Sequence, residues 1–114
     1  MIDEVLSIRL IVAIVERGKA DKIVVSAKKS GATGATILYG RGTGESEVKK
    51  FLNVNIESSK EIILIISEVQ KLKSIMTAMV ETGKLEDPGT GIIFTLPIEN
   101  LIGLHHRKEL KDIK

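Results

Sequence analysis

Two periodicities divide the chain. Residues 8–15 (Ile-Arg-Leu-Ile-Val-Ala-Ile-Val) are apolar at nearly every position and rich in β-branched side chains, which predicts a strand. Over residues 19–30 the period lengthens. Ala20, Ile23, Val24 and Ala27 fall at i, i+3, i+4 and i+7, the one-sided stripe of a helix, with Gly31 as its stop. Residues 33–39, rich in Thr, Ile and Leu but interrupted by Gly34, predict a second strand. Residues 40–44 (Gly-Arg-Gly-Thr-Gly) are expected to be loop, because glycine at every second position favours neither helix nor strand. Residues 45–59 are polar and weakly patterned apart from Phe51, Leu52, Val54 and Ile56. A third strand is predicted over 61–67 and a second helix over 68–82, with the stripe Leu72, Ile75, Met76, Met79 and Val80 and Gly83 at its end. Residues 84–91 form a loop around Asp87-Pro88-Gly89, and 92–96 a fourth strand closed by Pro97.

The order β-α-β-β-α-β is that of a ferredoxin-like α+β sandwich, an antiparallel sheet with both helices on one face. The uncovered face of such a sheet is normally polar. Here the first strand offers Ile8, Leu10, Val12 and Ile14 to one side and Ile11, Ala13 and Val15 to the other. A lone copy would expose one set, so the open face is expected to pack on other copies of the chain. Burying ~500 Å² of apolar area per copy would contribute about 12 kcal/mol before association costs.

Composition narrows the chemistry. The chain has 114 residues, the size of one domain, expected here over residues 1–104 with a charged C-terminal tail at 105–114. Net charge is +2, and the tail carries the excess, so no basic face drives nucleic-acid binding. Tyr39, Phe51 and Phe94 are the only aromatics, too few for a base-stacking platform. With no cysteine there is no disulfide framework, thiol catalysis or thiolate metal site. Neither a signal peptide nor an apolar run of membrane-spanning length is visible, so a cytoplasmic protein without membrane insertion is expected.

Several groupings are candidates for chemistry. Gly40, Gly42 and Gly44 with Arg41 fit an anion cradle, since glycine lets backbone N–H groups converge and arginine adds a fork of donors; alone they fit a hairpin connection equally well. Lys84, Gly89, Thr90 and Gly91 fit a second wall of the same cleft, or simply a turn. No GK[ST] follows, so this is not a P-loop. His105 and His106 are adjacent and better suited to a solvated tail than to one metal. Lys49, Lys50 and Phe51 fit a partner contact or, preferably, a solvated loop. Glu45, Glu47, Glu86 and Asp87 have no identifiable base, nucleophile or metal partner and read as loop charge, so no catalytic residue is assigned and no enzyme is expected.

The run Tyr39-Gly40-Arg41-Gly42-Thr43-Gly44 resembles the entry to the large T-loop of the P-II nitrogen-regulatory family, especially its shorter-looped members. The likeness spans residues 10–104. Residues 30–36 resemble the family's helix-to-strand passage, Thr82-Gly83-Lys84 the end of its second helix, and residues 89–97 its B-loop and following strand. The resemblance implies a homotrimer through the sheet faces and inter-subunit clefts that bind an adenine nucleotide (AMP, ADP or ATP), often with 2-oxoglutarate. It also implies a T-loop that engages a regulated partner such as a transporter or metabolic enzyme, without metal or catalysis. On this basis Gly40, Arg41, Gly42, Lys84, Gly89, Thr90 and Gly91 are the expected ligand-binding residues.

Departures from the pattern bear on the ligand. Residues 41–59 contain no tyrosine, so the modified tyrosine of some members has no equivalent. Ile92 stands where the B-loop lysine would be, with Pro88 inserted before it, and Gly103 and His105 stand at the places of two arginines. Losing three cations disfavours a triphosphate, with about four negative charges, relative to AMP, another adenylate or a non-nucleotide anion. Alternatives of other classes are a metal-linked trimer of the CutA type, a P-II-shaped trimer that no longer binds nucleotide, and a small phosphohydrolase.

Overall fold

The computed structural model describes residues 7–42, 49–51, 54–56 and 58–103. Its strands are β1 (Ile8–Glu16), β2 (Thr36–Gly42), β3 (Lys49–Phe51), β4 (Val54–Ile56), β5 (Ser58–Glu68) and β6 (Gly91–Pro97), and its helices are α1 (Ala20–Lys29) and α2 (Val69–Gly83). Four strands form one antiparallel sheet in the order β2-β5-β1-β6. β1 follows β5 with Ile11 opposite Ile65 and Ala13 opposite Ile63, and β6 with Ala13 opposite Ile93. This is the ferredoxin-like arrangement that the two periodicities predict.

Facing residues on antiparallel neighbours share a side of the sheet. Ile11, Ala13, Val15, Ile63 and Ile65 therefore line one face, and the helices bury it. Ala20, Ile23 and Ala27 of α1 and Ile75 and Met79 of α2 complete a core whose members are essentially inaccessible to water. Leu72 and Met76 pack at its margin, as the helical stripe predicts. The two helices are tied side by side where Ser26 Oγ donates to Ala78 O and Ser74 Oγ donates to Ser30 O, both at 3.3 Å.

Three boundaries differ from the pattern. β2 continues through Gly42, so Gly40, Arg41 and Gly42 are strand and not loop; they pair with Lys60, Ser59 and Ser58 because β5 begins early enough to bond them. Within residues 45–59, β3 and β4 form a two-stranded ladder with Phe51 opposite Val54, a pairing the weak sequence pattern did not reveal. At the end of α2 the left-handed cap is Lys84, at φ +53°, and Gly83 is the last helical residue. Glycine at 83 answers packing: a Cβ there would lie 2.9 Å from Ile23 Cδ1.

Candidate functional site

The expected ligand-binding residues fall into two groups at the same end of the sheet. Gly40, Arg41 and Gly42 close β2, while Lys84, Gly89, Thr90 and Gly91 lie between α2 and β6. The register puts both groups at one level: Gly40 faces Lys60, Lys60 faces Glu16, and the next residue of β1, Val15, faces Gly91. But β2 and β6 are opposite edges of the sheet. Three strand spacings of about 4.8 Å separate them by about 14 Å. One chain therefore does not bring the two groups together around a small ligand.

The first group also divides between faces. Gly40 shares the uncovered face with Lys60 and Leu38 shares it with Ile62, whereas Arg41, one residue on, belongs to the helix-bearing side. Neither glycine is at positive φ. Among the described residues, an added Cβ at Gly42 would meet nothing within 4 Å, and one at Gly40 only the flexible Cδ1 of Ile62 at 3.2 Å. Neither backbone conformation nor crowding by the described residues calls for glycine at these positions.

The second group is built differently. Gly91 has φ +146°, and a Cβ there would stand 2.5 Å from the backbone oxygen of Ile14, so only glycine lets β6 approach β1 at its start. Gly89 sits at φ +77° in the Asp87-Pro88-Gly89 turn. Thr90 Oγ1 lies 2.7 Å from Lys84 O and 2.9 Å from Asp87 O, so its single proton closes the turn on itself. Its lone pairs are left as acceptors. Lys84 is exposed, beyond the helix it caps.

Three charged residues that sequence reasoning passed over hold this end together. Lys60 Nζ forms an ion pair with Glu16 across β1 and β5, with the lysine buried and the glutamate about one-third exposed. Glu61, also buried, accepts backbone hydrogen bonds through Oε1 from Gly18 at 3.0 Å and Ala20 at 2.9 Å. A carboxylate from β5 thus satisfies N–H groups at the start of α1, where Lys19, the N-cap, makes no side-chain cap. These charges flank apolar runs and so read as strand ends; only the register reveals their partners.

The other side of the sheet carries the Lys60–Glu16 pair at one end and is otherwise largely apolar. Leu96, Leu10 and Ile66 form one row, Phe94, Val12 and Leu64 the next, and Ile92, Ile14, Ile62 and Leu38 the third. Leu38 (47%), Ile92 (56%), Phe94 (39%) and Leu96 (46%) are exposed in the protomer. No helix among the described residues is long and apolar enough to cross a membrane. No group of three His, Cys, Asp or Glu among them is placed to hold a metal ion. His105, His106, Gly44, Glu45 and Glu47 lie outside the described residues, as do the side chains of Lys49, Lys50 and Phe51.

Comparison with known proteins places this arrangement. Among curated proteins, none matches the chain in sequence. The fold is similar to that in a solved structure described as Arabidopsis thaliana PII bound to citrate, with a TM-score of 0.65 and 22% identity over 90% of this chain and 87% of that one. The model of the family described as nitrogen regulatory protein P-II matches residues 8–108, nearly the whole chain and every element of the four-stranded sheet. With sheet order, helix placement and family match in agreement, the chain belongs to the nitrogen regulatory protein P-II family.

Proposed function

We propose that the protein is a regulatory homotrimer that senses an adenine nucleotide or related anion in clefts between its subunits. The end of β2 (Gly40, Arg41, Gly42) of one copy would meet the α2–β6 turn (Lys84, Gly89, Thr90, Gly91) of the next. The segment 41–59 would engage a regulated protein, a transporter or a metabolic enzyme, and ligand would act by favouring one of its arrangements over another. No catalytic step is assigned to it.

One observation carries this reading: the two groups of site residues stand at the same level on opposite edges of one sheet. Opposite edges at a common level become neighbours when copies pack around an axis, and the apolar open face supplies the surface for that packing. The glycines at 40 and 42, which no described residue of the protomer crowds below 3.2 Å, suit close approach of a ligand or a neighbouring chain.

The experiment is light scattering after size exclusion, paired with calorimetric titration of AMP, ADP and ATP. The expected result is a particle of three times the chain mass and one adenylate site per chain, weakened in Arg41→Ala and Lys84→Ala. A monomer, or a trimer that binds none of the three, would sink the reading.

A further inference from the structure

Lys84 stands where a helix end prefers glycine, at φ +53° just past α2. A side chain in that region is strained, so the turn around it must hold it there. Its peptide groups are bound on both sides. The N–H of Lys84 donates to Glu81 O at 3.3 Å, and that of Leu85 to Val80 O at 3.0 Å. Lys84 O accepts from the Asp87 N–H at 3.0 Å and from Thr90 Oγ1 at 2.7 Å. The first three bonds are local to the helix end and the turn. The Thr90 bond reaches back from the start of β6, which is itself firmly placed: Gly91 pairs with Val15, and its approach to the Ile14 oxygen leaves no room for a Cβ. The Thr90 hydroxyl thus fastens the cap of α2 to the sheet.

The same bonds decide what Thr90 can do for a ligand. A hydroxyl has one proton to donate and two lone pairs. Here the proton is spent on the carbonyls of Lys84 and Asp87, at 2.7 and 2.9 Å. The charged oxygens of a phosphate are acceptors, so the hydroxyl could donate to one only by releasing the turn. Lys84 is the opposite case. It is exposed, and its ammonium has no ion-pair or hydrogen-bond partner among the described residues. Of the two, the lysine is equipped to meet an anion and the threonine to hold the lysine.

We propose that Thr90 is a positioning residue of the cleft. Its hydroxyl binds the carbonyls of Lys84 and Asp87 and not the ligand, and so holds in place the left-handed lysine whose ammonium meets the phosphate. The proposal rests on the inter-subunit adenylate reading above and separates two residues of one wall by role. Glu86 and Asp87 in the same turn, and charges elsewhere in the chain, are untouched by a change at position 90, so its effect reports the hydroxyl.

The test is calorimetric titration of the full chain with AMP, ADP and ATP in wild type, Thr90→Val, Thr90→Ser, Lys84→Ala and the double variant Thr90→Val/Lys84→Ala. Valine keeps the shape of threonine without its hydroxyl, and serine keeps the hydroxyl. Circular dichroism and size exclusion check fold and assembly, with Thr90→Ala standing in if Thr90→Val does not assemble. Cleavage by trypsin after Lys84, followed by mass spectrometry, reports on the turn without any ligand. Thr90→Val is expected to lose about fivefold in affinity for the adenylate that wild type binds best, and to be cut faster after Lys84. Thr90→Ser should match wild type in both, and Thr90→Val should cost nothing further once Lys84 is alanine. An equal loss with and without Lys84 would assign Thr90 to the ligand itself and overturn the proposal, as would wild-type affinity in Thr90→Val. If Lys84→Ala leaves no measurable binding, the tryptic rate decides, and cleavage of Thr90→Val at the wild-type rate overturns it. Failure of wild type to bind any of the three is a separate result, which removes the cleft reading and this proposal with it.

Discussion

At the residue scale, glycines that look equivalent in sequence have different physical reasons. Gly91 is fixed by the fold, through positive φ and the Ile14 oxygen that a Cβ would strike. Gly91→Ala should cost about 3 kcal/mol, measured as a lower urea midpoint. Gly42 has no described residue within reach of an added Cβ and an ordinary strand backbone. Gly42→Ala should leave stability within about 0.5 kcal/mol of wild type while weakening adenylate binding; unaltered binding would show that this glycine serves neither ligand nor neighbour. Glu61 is a third case. Glu61→Ala strips the acceptor from two backbone N–H groups at the start of α1 and should lower stability by about 2 kcal/mol, and Glu61→Gln, which keeps an oxygen, by less. Equal losses in the two variants would assign the effect to packing.

At the element scale, the end of α2 departs from what helix chemistry prefers. A lysine occupies the left-handed cap where glycine is usual, while the neighbouring glycine is held by its packing against Ile23. Lys84→Gly should therefore stabilise the protein by about 0.5–1 kcal/mol in chemical denaturation. The same change should weaken adenylate binding if Lys84 lines the cleft. A variant both more stable and equally good at binding would make the lysine incidental. β2 illustrates the opposite balance. Glycine resists extended structure, yet Gly40 and Gly42 stay in the strand because β5 offers backbone partners at Lys60 and Ser58. Local preference is worth about 1 kcal/mol, and a paired edge overrides it.

For the whole molecule, the sheet has one face buried by the helices and one, largely apolar, that no helix among the described residues covers. Phe94 sits in the middle row of that open face, opposite Val12. Phe94→Glu places a charge there and should give a monomer by light scattering with its circular dichroism spectrum retained. On the inter-subunit reading proposed above, adenylate binding should fall with the assembly. A Phe94→Glu protein that remains trimeric would place the subunit contact elsewhere.

Much of this was legible in the chain. Strand and helix periods differ, so the order of the main elements and the core stripe of Ala20, Ile23, Ala27, Ile75 and Met79 follow from side-chain spacing alone. The two-sided apolar character of β1 was equally local and already pointed to a face awaiting cover. The glycines, Arg41 and Lys84 proposed for the cleft also stand out along the chain. Their placement was not legible. That Gly40 and Gly91 share a level but not an edge, that Arg41 turns from its neighbouring glycines, and that Glu16, Lys60 and Glu61 are already engaged all depend on register. Periodicity along a chain is set by each residue's own backbone geometry, whereas register is set by which distant strand supplies the hydrogen bonds, and that is decided only when the sheet assembles.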